Sequence, residues 1–115
     1  MNWGARRQEI ADVLTSVPGV QGKIYRPNTP VKGDAWPRLG SMTRDESSPA
    51  FYVNWSVFVF LPQNEQGADQ WIDQNLEALI DALEEGDMGY VESAAPADIG
   101  VSASQYGLLI TMRGE

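Results

Sequence analysis

The side chains best able to do chemistry in this sequence are carboxylates. Asp69, Asp73, Glu77 and Asp81 recur every four residues, so a helix sets them in one column. Such a column can in principle hold a hard cation through oxygen ligands. Without ligands from other elements it reads more plainly as a solvated face or a partner contact, and like charges at this spacing weaken an isolated helix slightly. Asp45 and Glu46 form an adjacent acid pair, but they sit in a polar stretch with no apolar neighbours to perturb them, which argues against acid–base catalysis. The 115 residues include no His and no Cys. That removes the commonest zinc ligands, every thiol nucleophile and the side chain whose ordinary pKa suits proton transfer near neutrality. No phosphate-cradling glycine pattern, nucleophile elbow or acidic calcium loop is present. The expectation is a protein that is not an enzyme, with no catalytic residues, no metal and no cofactor.

The acidic column needs a helix to carry it, and the strongest helical pattern runs from Gly67 to Glu85. Ala68, Trp71, Ile72, Leu76, Leu79, Ile80 and Leu83 make its apolar stripe, and Gly86 ends it. A first helix spans Trp3 to Val17, with Trp3, Ile10, Val13, Leu14 and Val17 on one face, and stops at Pro18-Gly19. The clearest strand is Ala50 to Leu61. There Phe51, Val53, Trp55, Val57, Val59 and Leu61 fill one face, and the other face ends in Phe58 and Phe60. Shorter strands are predicted at Gly22 to Arg26, Tyr90 to Ala94 and Gln105 to Arg113. The proline-rich stretch from Pro27 to Pro49 reads as an irregular edge strand and a long exposed loop.

Two amphipathic helices and an antiparallel sheet with one apolar face supply matching layers. The predicted fold is therefore α+β, a two-layer sandwich in the order αβ(β)βαββ, with both helices on one face of the sheet. Length and the 43% apolar content fit a single domain over 1–115. No apolar run approaches the roughly 20 residues that span a bilayer, and no signal-peptide core follows the N-terminal charges. The chain is expected to be made in the cytosol and to need no membrane.

Charge is segregated along the chain. The first 44 residues carry seven basic and three acidic side chains; the remainder carries one basic and thirteen acidic, for a net −8. A net negative chain is ill suited to broad phosphate-driven binding of nucleic acid. Bipolar subunits can instead dock head to tail, and such heterologous contacts close into rings when the rotation permits. Trp55 and Trp71 fall on core faces. Trp36, in Gly33-Asp34-Ala35-Trp36-Pro37-Arg38, either plugs its own core or inserts into a neighbour. Phe58 and Phe60 suggest an apolar subunit interface. Arg6 and Arg7 open a helix whose dipole prefers acids there, so they are either simply exposed or meet an acidic partner. With Arg38 and Arg44 these are the candidate contact residues.

The sequence resembles the small tail terminator proteins of long-tailed bacteriophages, in particular those of phages infecting actinobacteria. The resemblance covers nearly the whole chain. It rests on Val17-Pro18-Gly19-Val20, Tyr25-Arg26-Pro27, the Gly33-Asp34-Ala35-Trp36-Pro37 loop, the strand through Trp55-Ser56-Val57-Phe58-Val59 to Leu61-Pro62, and the acidic helix with Trp71-Ile72-Asp73. It implies a virion protein at the head–tail junction, assembled in the host cytoplasm. Its subunits would form a homo-hexameric ring that caps the tail tube, stops addition of the major tail tube protein and offers a surface to head-completion and connector proteins. DNA would pass through the lumen without sequence-specific binding. A neck adaptor of the same virion is the alternative. Behind it stand a small-ligand or peptide-binding module around Phe58, Phe60 and Trp36 and, last, a carboxylate hydrolase.

Overall fold

The uninterrupted alternation that marks the clearest strand places it at the centre of the sheet. In the computed structural model, which describes residues 3–44, 51–86, 90–98 and 105–113, the strands are β1 (Gln21–Gly22), β2 (Asp34–Arg44), β3 (Phe51–Phe60), β4 (Tyr90–Asp98) and β5 (Tyr106–Arg113). They lie in the order β1-β2-β3-β5-β4. β3 pairs antiparallel with β2 on one side and with β5 on the other, and β4 pairs antiparallel with β5. The helices α1 (Trp3–Thr15) and α2 (Glu65–Glu85) pack on the same sheet face, so the fold is the expected α+β sandwich.

Several details differ from the sequence reading. The sheet is mixed, because β1 runs parallel to β2 through Gln21–Asp34 and Gly22–Ala35. Residues 23–33 lead the chain back to the end from which β1 started, the kind of return that parallel pairing requires. β1 is also shorter than the predicted strand to Arg26. Only Lys23 N–H extends the edge, donating to Ala35 O, and the prolines at 27 and 30 have no N–H to offer a ladder. In the stretch 27–50, expected to hold an irregular edge strand and a long loop, the strand is eleven residues long and regular enough to pair throughout. It pairs with β3 along its length, while β1 covers only its first two residues, so most of β2 does lie at an edge among the described residues. Pro37 is tolerated at such a position. The register slips between Leu39 and Ser41, where a side chain on Gly40 would come within 2.8 Å of Asn54 O.

α1 ends at Thr15 rather than Val17. The Thr15 hydroxyl donates to Ala11 O and accepts from Gly22 N–H, which fastens the helix end to β1. A Cβ on Gly22 would run into the Ala11 carbonyl oxygen, so this close approach requires glycine. α2 starts two residues earlier than predicted, because Asn64 caps it by accepting from Gly67 N–H at 2.6 Å. Between the layers lie Ile10, Leu14, Trp55, Val57, Val59, Leu79, Leu83, Leu108, Ile110 and Met112, all buried. Burying each large aliphatic group contributes about 1.5–3 kcal/mol.

Candidate functional site

The sheet face away from the helices carries the aromatic residues singled out in the sequence. Trp36 on β2 is the cross-strand neighbour of Phe58 on β3, and their rings meet edge to face with centroids 6.1 Å apart. Phe60 and Ala97 complete the cluster. The segment after β1 roofs it: the Arg26 guanidinium lies 5.2 Å from the Trp36 ring centroid and donates to Gln105 Oε1 at 3.0 Å. Arg38 lies 5.8 Å from the Phe58 centroid. Trp36 is 3% and Phe60 7% exposed. Within one copy, this is the first of the two readings left open for Trp36. Trp36 plugs a cluster of its own chain, Phe60 is buried beside it, and only Phe58 keeps part of its ring accessible. Arg26 covers the Trp36 ring, while Phe58, with Arg38 beside it, stays half-buried.

Arg6 and Arg7 separate in the same way. Arg6 forms an ion pair with Glu9 one turn on, at 3.0 Å and partly exposed, a contact worth roughly 0–1 kcal/mol. Arg7 turns inward. Its Nη1 donates to Pro37 O at 3.0 Å, and its guanidinium carbon lies 5.1 Å from the Tyr25 ring and 5.4 Å from the Trp55 ring. Its charge, ill matched to the helix dipole, thus clamps α1 to β2. Replacing Arg7 by Met is expected to cost about 1–2 kcal/mol in urea unfolding, whereas Arg6→Met should cost less than about 1 kcal/mol. Arg38 is exposed; the Arg44 side chain and the Asp45–Glu46 pair lie outside the described residues.

The acidic column forms as the periodicity predicts. Asp69, Asp73, Glu77 and Asp81 are exposed on α2, and none forms an ion pair among the described residues. Nor do three carboxylates there converge on a metal-binding arrangement. Beside the column runs a shallow groove of about 320 Å³, lined by Ile72, Leu76 and Ile80 and edged by Asp73, Glu77 and Asp81. A second, mostly apolar cavity of about 450 Å³ opens where β4 meets β5, lined by Pro96, Ala97, Asp98, Gln105, Tyr106 and Gly107. The sequence reading missed this cavity, and also a side-chain bridge to Tyr106, one of its lining residues. The Gln63 side chain exchanges hydrogen bonds with both backbone groups of Tyr106, standing in for a strand partner. A glutamine in a polar turn gives no sign of that role.

Sheet order converts the charge segregation of the sequence into a spatial one. α1 rests over β1 and β2, and α2 over β5 and β4. The seven bases of the first 44 residues therefore belong to the β1–β2 side, while the seven acids of α2, with Glu92 and Asp98 of β4, belong to the β4 side. The central strand β3 carries no charge. Neither protein-family models nor curated proteins match this chain. No helix among the described residues is long and apolar enough to cross a membrane.

Proposed function

We propose that this chain is a structural assembly protein whose copies associate head to tail into a ring, acting as a phage tail terminator. The observation that carries the reading is the lateral charge polarity, with basic elements on the β1–β2 side of the sheet and an acidic helix on the β4 side. A subunit built this way attracts the next copy by unlike sides, the heterologous geometry from which rings close. In this role the ring sits on the end of the tail tube, ends addition of the major tube protein and presents its far side to the head connector. The acidic excess disfavours adhesion of DNA passing through.

Sedimentation velocity over a range of concentrations and salts, paired with electron microscopy of purified tail tubes mixed with the chain, tests this. The expected result is a salt-sensitive species of about six subunits, or density at one tube end that blocks further growth. A monomer that leaves tube ends bare sinks the reading, and binding to the portal side instead assigns the neck. A second reading, a small-ligand module, draws on the apolar cavity at the β4–β5 end, whose 450 Å³ lies in the range of small-molecule sites. Saturable uptake of a small apolar ligand by a monomer would favour it.

A further inference from the structure

We propose that the α2 groove of Ile72, Leu76 and Ile80, rimmed by Asp73, Glu77 and Asp81, receives segment 23–32 of a second copy through Lys23, Tyr25, Val31 and Lys32. The proposal deepens the ring reading and rests on it for closure, but it names the two surfaces that touch.

The acceptor side is one turn-spaced column. Three carboxylates four residues apart on a helix stand about 6 Å from one another, so the rim spans about 12 Å. All three are exposed and unpaired among the described residues. Alongside, Ile72 and Leu76 touch the core with one side and line the groove with the other, and half-buried Ile80 extends the stripe. Apolar surface bordered on one side by a single sign of charge fits a segment that is itself apolar and basic.

The donor side has that composition. Tyr25 is 65% and Val31 53% exposed, two of the most exposed large apolar side chains of the described residues. Lys23 and Lys32 are exposed beside them and make no ion pair among the described residues. The segment is held in shape from within. Arg7 stacks on Tyr25, Arg26 is anchored over Trp36, and Val31 N–H donates to the buried Asp34 carboxylate at 3.0 Å. A pre-shaped segment loses less freedom on docking. The donor belongs to the β1–β2 side of the sheet and the acceptor to the β4 side, so each copy can use both at once and the contact propagates from copy to copy.

The test uses the full chain with two charge-reversed variants. One carries Asp73→Lys, Glu77→Lys and Asp81→Lys; the other carries Lys23→Glu and Lys32→Glu. Thermal unfolding of each confirms that it is folded, and sedimentation velocity reads association at low salt. Each variant alone is expected to associate more than about a hundredfold more weakly than the unmodified chain, because like charges now face each other. Mixing the two should restore association, since every contact in an alternating assembly again joins opposite charges. Salt near 1 M, where the Debye length is about 3 Å, should weaken both the original and the restored species. Association unchanged in the variants, or lost without recovery on mixing, overturns the pairing of these surfaces. So does an unmodified chain that stays monomeric at the highest soluble concentration; if that monomer still caps tube ends, the terminator reading survives and only this contact falls.

Discussion

Trp36→Ala is expected to lower the unfolding free energy of the isolated chain by about 3–5 kcal/mol, read by urea denaturation of the monomer. The side chain is 3% exposed, stacks edge to face on Phe58, borders Phe60 and Ala97, and carries Arg26 across its indole. Removing it opens a hole that the surrounding strands cannot collapse to fill, and it leaves a guanidinium without its aromatic platform. Against a typical total of about 5–15 kcal/mol this is a large share. Monomer stability that stays within about 0.5 kcal/mol, with assembly lost, would instead mean that Trp36 works between copies. The experiment thus separates the two roles that the sequence leaves open for this residue.

Leu79→Ala should cost about 2–5 kcal/mol by the same measurement. Leu79 is fully buried where α2 meets the sheet, with Ala68 and Leu83 along the same line of the helix. The loss should also appear in assembly, because α2 carries the acidic column and a loosened helix no longer holds its carboxylates in register. Leu76→Ala offers the contrast. Its side chain is only partly buried and faces the groove, so its substitution should affect association more than folding. Equal stability losses at positions 76 and 79 would show that the groove is closed by the chain itself.

The elements with a regular period were legible from the sequence. β3 and α2 have uninterrupted alternation and an uninterrupted helical stripe, and both appear within two residues of the predicted limits. Their faces are local properties, since period 2 or 3.6 assigns each side chain to a side before any partner is known. Boundaries slipped where a polar side chain does the work. The Asn64 cap precedes Glu65 and Gln66, neither of which marks an apolar face, and the Thr15 hydroxyl ends α1 by reaching β1, a partner outside the helix. The sequence shows β2 only as an irregular edge strand without defined limits inside a looped stretch, because Pro37 and Gly40 break its alternation. Pairing with β3 overrides local propensity there, while the edge position accommodates the proline and a register slip the glycine.

Among the candidate contacts, the residue types were informative and their destinations were not. Arg7, Trp36 and Phe60 have the composition of an interface, yet the chain uses them itself, because residues 23–31 return across the edge of β2 and bring Tyr25 to Arg7 and Arg26 to Trp36. That return depends on contacts between positions far apart in sequence, such as Arg26 with Gln105, and no local pattern encodes them. The β4–β5 cavity and the Gln63 bridge to Tyr106 have the same long-range origin.

By itself, then, the sequence determined the two-layer class, the faces of the two regular central elements, the acidic column on the second helix and the division of charge along the chain. All of these follow from side-chain type and local period. Only the tertiary structure decided that this division lies across the sheet from β1 to β4, that Trp36 and Phe60 are buried within their own chain, and that Lys23, Tyr25, Val31 and Lys32 are left facing outward. Strand order and loop return set these features, and both are chosen by the burial of the whole core, not by any one segment.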